Sequence, residues 1–113
     1  MECLDGISLQ DWEPVRKRVA DRLRSDYYWQ VFEPLEVARP EPVSGSLSDD
    51  LADVWRDLKV GLQAMDGNAL GGGTEAVWHW RFSFESHWVQ HAAGAIAALS
   101  ALCYGQFADP SRP

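Results

Sequence analysis

Residues 74–104 read TEAVWHWRFSFESHWVQHAAGAIAALSALCY. Trp80, Phe84, His87, Trp88, His91, Ala95, Ala98, Leu99 and Leu102 recur at three- and four-residue steps and share one face of a helix. Trp78, Val89, Ala92, Ile96 and Cys103 gather on a second face, and Thr74 is placed to cap the N-terminus. No Asp, Glu, Lys or Arg occurs between Glu85 and Asp109. A helix with apolar residues on two sides and no charge is expected to be surrounded by other helices. Its small residues (Ala92, Ala93, Gly94, Ala95, Ala97, Ala98) permit close approach. The segment 75–104 is therefore expected to be a long, central C-terminal helix. The run AAGAIAALSALCYG within it falls short of the roughly 18 residues of a membrane span and reads as a buried helix.

Working back along the chain, Gly71, Gly72 and Gly73 form a turn between two helices. With no strand before it and no lysine after it, the loop matches neither a phosphate-binding nor a dinucleotide-binding template. The segment 47–65 is a second helix. Ser46 to Asp49 supply a capping box, and Asp49 and Asp50 sit in the first turn, where the helix dipole favours negative charge. Leu47, Leu51, Val54, Trp55, Leu58, Leu62 and Met65 make an apolar stripe about 100° wide, with Asp49, Asp53, Arg56 and Asp57 facing away from it. Residues 33–46 contain prolines and a glycine without periodicity and read as an extended connector, pinned across the domain by Tyr27, Tyr28, Trp29 and Phe32. A first helix over 11–26 starts with an Asp11 cap and Pro14 in its first turn, and carries Trp12, Val15, Val19 and Leu23 inward. Its other side holds Arg16, Lys17, Arg18, Arg22 and Arg24, read as a solvated face rather than a dock for an acidic partner.

These readings make one domain over 1–113: an all-α, antiparallel helical bundle of three main helices with no sheet beyond an incidental bridge. Trp55, Leu58, Leu62, Trp80, Phe84, Trp88, Ile96 and Leu99 are expected to form its core. Hydrophobic residues make up 46% of the chain, enough for a core, and the six tryptophans exceed what a short chain hides easily. A net charge of −7 argues against nucleic acid or anionic lipid as partners. Cys3 and Cys103 suit neither a disulfide framework nor a zinc motif, and the N-terminus has no signal-peptide pattern, so a cytoplasmic location is expected.

The stretches LSDDLADVWRDLKVGL (47–62) and AVWHWRFSFESHWVQHAAGAIAALSAL (76–102), with the preceding VFEPLE (31–36), resemble a bacterial family known only as a domain of unknown function, number 5063. The resemblance runs from Tyr27 to Tyr104 and lies in the placement of tryptophan and histidine. Members of that family are longer, with additional N-terminal helices, so this chain reads as a short member. Val89 stands where a glycine is expected, and LGGG (70–73) is an insertion. The resemblance implies an all-α fold. The family has no established activity, so it carries over no functional residue.

For chemistry, His87 and His91 stand out. An i, i+4 pair on a helix points two imidazoles the same way, as helices do when two histidines share a metal. Glu85 points elsewhere, so a third ligand has to come from Asp49, Asp50, Asp53, Asp57 or another chain. The competing reading makes both histidines structural, packed beside Trp80, Phe84 and Trp88. Arg81 and His87 loosely match the Arg–His pattern of HEPN-type ribonucleases, but they diverge on a straight helix, and Arg81 has Glu85 one turn on. Ser83, Ser86 and Cys103 have no base assigned to them by sequence. The sequence therefore favours a non-enzymatic role in protein–protein association, with a second copy as the simplest partner and no cofactor implied. A metal-binding or hydrolytic site on His87 and His91 is the alternative, and the ribonuclease a remote one.

Overall fold

The computed structural model describes residues 7–67 and 71–105; Cys3 lies outside them. Helix α1 spans Leu9–Arg22. Its cap is Ser8, whose hydroxyl accepts the Asp11 N–H at 3.2 Å, so Asp11 sits in the first turn instead of capping it. The helix stops before the expected 26 because Leu23 is already extended.

Beyond α1 the chain forms a two-stranded sheet, more than the incidental bridge expected, beside a body that is otherwise helical. Strand β1 (Tyr27–Val31) pairs antiparallel with β2 (Pro42–Ser46), Tyr27 opposite Ser46 and Val31 opposite Pro42. YYWQV consists largely of aromatic and β-branched residues, which fit a pleated half-buried surface. Its side chains alternate: Tyr28 and Gln30 turn inward, while Tyr27, Trp29 and Val31 are exposed. The rings therefore do not pin the connector as a group, since Trp29 is 75% exposed. Tyr28 does so alone, its hydroxyl lying against Gly94.

Helix α2 (Leu47–Gly67) starts where expected. Ser46 Oγ accepts the Asp49 N–H at 3.3 Å, and Asp26 reaches across to accept the Ser48 N–H at 2.6 Å. The C-terminal segment is one long helix in three parts: α3 (Gly72–Ser83), a π-helical turn (Phe84–Trp88) and α4 (Val89–Tyr104). In the π turn the Val89 N–H reaches back five residues to the Phe84 carbonyl. Such bulges widen a helix by one residue and are frequent at functional sites.

Helix accounts for 71% of the described residues, and the protein is a predominantly helical bundle. Every other helix packs against α2. Small residues do the burying. One cluster joins Ile7, Val60, Ala64 and Ala76 beneath Trp55 and Trp80; the other joins Leu47, Ala95 and Ala98 with Leu51, Leu99 and Tyr28 around them. The expected large-residue core needs correction. Trp55, Leu58, Trp80, Trp88 and Leu99 are half-buried, whereas Leu62, Phe84 and Ile96 are exposed. Among the described residues, α4 is buried on its Ala95–Ala98 side and not surrounded by other helices: Ile96 is 69% exposed and Cys103 is exposed. Among the described residues, no helix is long and apolar enough to cross a membrane.

Candidate metal centre

The antiparallel register of α2 against the C-terminal helix sets Asp57 beside His87 and Asp50 beside His91. His87 Nδ1 lies 2.6 Å from Asp57 Oδ2, and His91 Nδ1 lies 2.7 Å from Asp50 Oδ1. Asp50, Asp53 and Asp57 follow one another at three- and four-residue steps, so α2 presents all three carboxylates along one strip. His87 sits within the π turn and His91 just after it. Their rings meet edge to face, with centroids 4.7 Å apart and Nε2 atoms 3.2 Å apart.

A carboxylate only accepts, so each Nδ1 donates its hydrogen to its aspartate, which in a neutral imidazole leaves Nε2 with a lone pair. Those lone pairs face each other. Asp53 adds a third donor, its Oδ2 lying 3.5 Å from His91 Nε2. Among the described residues, one ligand atom each from Asp53, His87 and His91 lies within 4.8 Å of the others. Three electron-pair donors converging on one point repel unless a positive charge stands between them. The Asp50 bond holds the His91 imidazolium above the usual histidine range, against the opposing effect of partial burial, with Asp53, Asp50 and Asp57 adding their charges. A group whose pKa is raised on folding stabilises below its ordinary pKa and loses that contribution as pH rises through the folded-state value.

The surroundings hold these groups in place. Asp50 is 3% exposed, and its second oxygen accepts the Tyr28 hydroxyl. Burial, reinforced by Asp50, pushes the Tyr28 phenol well above its ordinary range, so it stays a donor. Trp12 Nε1 donates to Asp53 Oδ1 at 2.9 Å. The site opens to solvent at His87, whose side chain is 45% exposed.

The structure thus brings His87 and His91 together, and of the four aspartates read as third-ligand candidates it adds Asp53 as a donor. Asp50 and Asp57 stand behind the imidazoles, and exposed Asp49 takes no part. Asp53 and Asp57 do not face away from the packed side of α2, as the stripe implied; they line its contact with the π turn. Trp12 and Tyr28 were legible only as apolar residues. The aspartate strip was visible in the sequence at helical spacing, but not the histidines opposite it.

Other candidates disperse. Arg81 Nε lies 3.8 Å from Glu85 Oε1, with both side chains exposed, while His87 turns to Asp57, so the ribonuclease pair is not assembled. Ser83 and Ser86 hydroxyls donate to carbonyls one turn back, those of His79 and Phe82, at 2.8 Å each.

No curated protein and no solved structure matches the chain. The match to a family model covers α1 as well as the stretch that carries the resemblance. Described as "Domain of unknown function (DUF5063)", that model matches residues 5–105, and the chain belongs to this family.

Proposed function

We propose that this domain binds one divalent transition-metal ion through His87 Nε2, His91 Nε2 and Asp53. The observation that carries the reading is the convergence of two imidazole lone pairs, each with its Nδ1 bonded to a carboxylate, on an aspartate oxygen. Metal-ligating histidines commonly donate their other N–H to a carboxylate, which fixes the tautomer and raises ligand basicity. The spacing fits as well. A tetrahedral ion with bonds of about 2.0–2.1 Å places its ligand atoms roughly 3.3 Å apart. The nitrogens here are 3.2 Å apart, and the Asp53 oxygen is 3.5 Å from the nearer one. Two imidazoles and one carboxylate suit zinc or ferrous iron, and they leave a position for water or substrate, as hydrolytic chemistry requires.

The test is titration of chelator-treated protein with zinc, nickel and cobalt. One equivalent should bind and raise the melting temperature; at a hundredfold excess over Kd the added stability is about 2.7 kcal/mol. His87→Ala and His91→Ala should each abolish that gain. Absence of stoichiometric binding, with both variants merely losing about 1–3 kcal/mol from an unpaired aspartate, would reduce the histidines to ties between helices.

Association with a second copy has separate support. The outer face of α4 (Ala93, Ile96, Ala97, Ser100) is exposed and bears no charge, as does the stacked pair Trp78 and Phe82 on α3. In a chain of net charge −7, two copies meet there without like-charge repulsion.

A further inference from the structure

A carboxylate ligand can grip an ion with one oxygen or with two, and nothing on α2 itself decides which Asp53 does. Helix α1 does. Its apolar side, with Trp12, Val15 and Val19 half-buried, packs along α2. From that face the Trp12 indole N–H donates across to Asp53 Oδ1 at 2.9 Å. The other oxygen, Oδ2, is the one turned to His91 Nε2.

We infer that Trp12 is a positioning residue of the metal centre: its N–H occupies Asp53 Oδ1 and leaves Oδ2 as a single-oxygen ligand. This rests on the metal reading above. The indole suits the task because it is a donor only, has no lone pair to offer the ion and does not titrate in the working pH range. A hydrogen bond to a carboxylate is stronger than a neutral one and fixes its orientation. With it, every ligand has one partner behind it: Asp57 behind His87, Asp50 behind His91 and Trp12 behind Asp53. The third support comes from a helix that contributes no ligand, so α1 is a working part of the site. Freed of the indole, Asp53 can turn both oxygens to the ion and change its coordination number.

Cobalt is the probe, because its visible bands are intense when four-coordinate and weaker and shifted when five-coordinate. Three proteins are compared: the natural chain, Trp12→Phe, and Trp29→Phe, which alters an exposed ring on the outer side of β1. Trp12→Phe should weaken cobalt and zinc binding about 10–100-fold and move the cobalt bands to the five-coordinate pattern. Trp29→Phe should do neither. An unchanged spectrum and affinity in Trp12→Phe, with the natural chain still binding, would overturn this inference and leave the metal centre standing. Failure of the natural chain to bind cobalt at all would overturn both. Should Trp12→Phe release α1 altogether, the natural chain still decides. In the zinc-loaded protein the Trp12 indole proton must exchange slowly with solvent, and fast exchange would mean that the bond is absent.

Discussion

At Gly61 a side chain has nowhere to go. An added Cβ would lie 2.0 Å from Trp80 Nε1, and that indole is tethered over α2 by its bond to the Leu58 carbonyl at 3.0 Å. Alanine raises helix propensity by up to about 1 kcal/mol, while overpacking a tight contact costs about 1–3 kcal/mol. Displacing Trp80 also strands the Leu58 carbonyl, so the loss should win. Gly61→Ala should lower stability by about 1–2 kcal/mol net, read from the midpoint of urea unfolding, and a midpoint at or above that of the natural chain would contradict the contact. Gly94 plays a similar part at the site. Its Cβ would lie 2.5 Å from the Tyr28 hydroxyl, so the small-residue run on α4 here admits a strand residue, not another helix.

Among the elements, the start of α2 depends on Asp26. Its carboxylate accepts the Ser48 N–H at 2.6 Å and the Ser48 and Ser46 hydroxyls at 2.8 and 2.9 Å. Burial pushes its pKa up, but these bonds, with help from Arg16, outweigh it and hold the group below the usual carboxylate range. A depressed folded-state pKa contributes stability above the ordinary value and loses it as pH falls through the folded-state value. Asp26→Ala should therefore cost about 2 kcal/mol at neutral pH and should flatten the decline of stability below about pH 4. Equal acid slopes in the two proteins would remove Asp26 from the cap. The hairpin that carries Tyr28 escaped the sequence because its alternation lasts only five residues, and the ten between its strands include no tight-turn dipeptide.

The whole molecule buries little. Its Cα radius of gyration is 16.5 Å, against about 13 Å for a compact chain of this length. Among the described residues, eight hydrophobic ones are buried, five of them alanines, and the large rings lie at the boundary. A body with so thin a core gains by covering an apolar face, and α4 offers one free of charge. Sedimentation at tens of micromolar should show a dimer, with Ile96→Glu returning it to monomer at an unchanged helical spectrum. A strictly monomeric natural chain would count against the association reading.

The sequence by itself determined the three helical segments, the Ser46 cap of α2 and the pairing of His87 with His91, because each rests on periodicity and neighbours within a few turns of chain; the Asp11 and Thr74 caps gave way to Ser8 and Gly71. It also marked the family through the spacing of tryptophans and histidines. Only the tertiary structure decided what those histidines face. Asp50, Asp53 and Asp57 reach them through the antiparallel register of two helices, which depends on contacts such as Trp80 seated on Gly61 and on the extra residue taken up by the π turn. Trp12 and Tyr28 join from a separate helix and a strand, 41 and 22 positions from the aspartates they hold. Helical periodicity says which side of α2 is apolar. It does not say where along its edge a second helix will lay two imidazoles, and that placement turns three solvated-looking aspartates into a candidate metal centre.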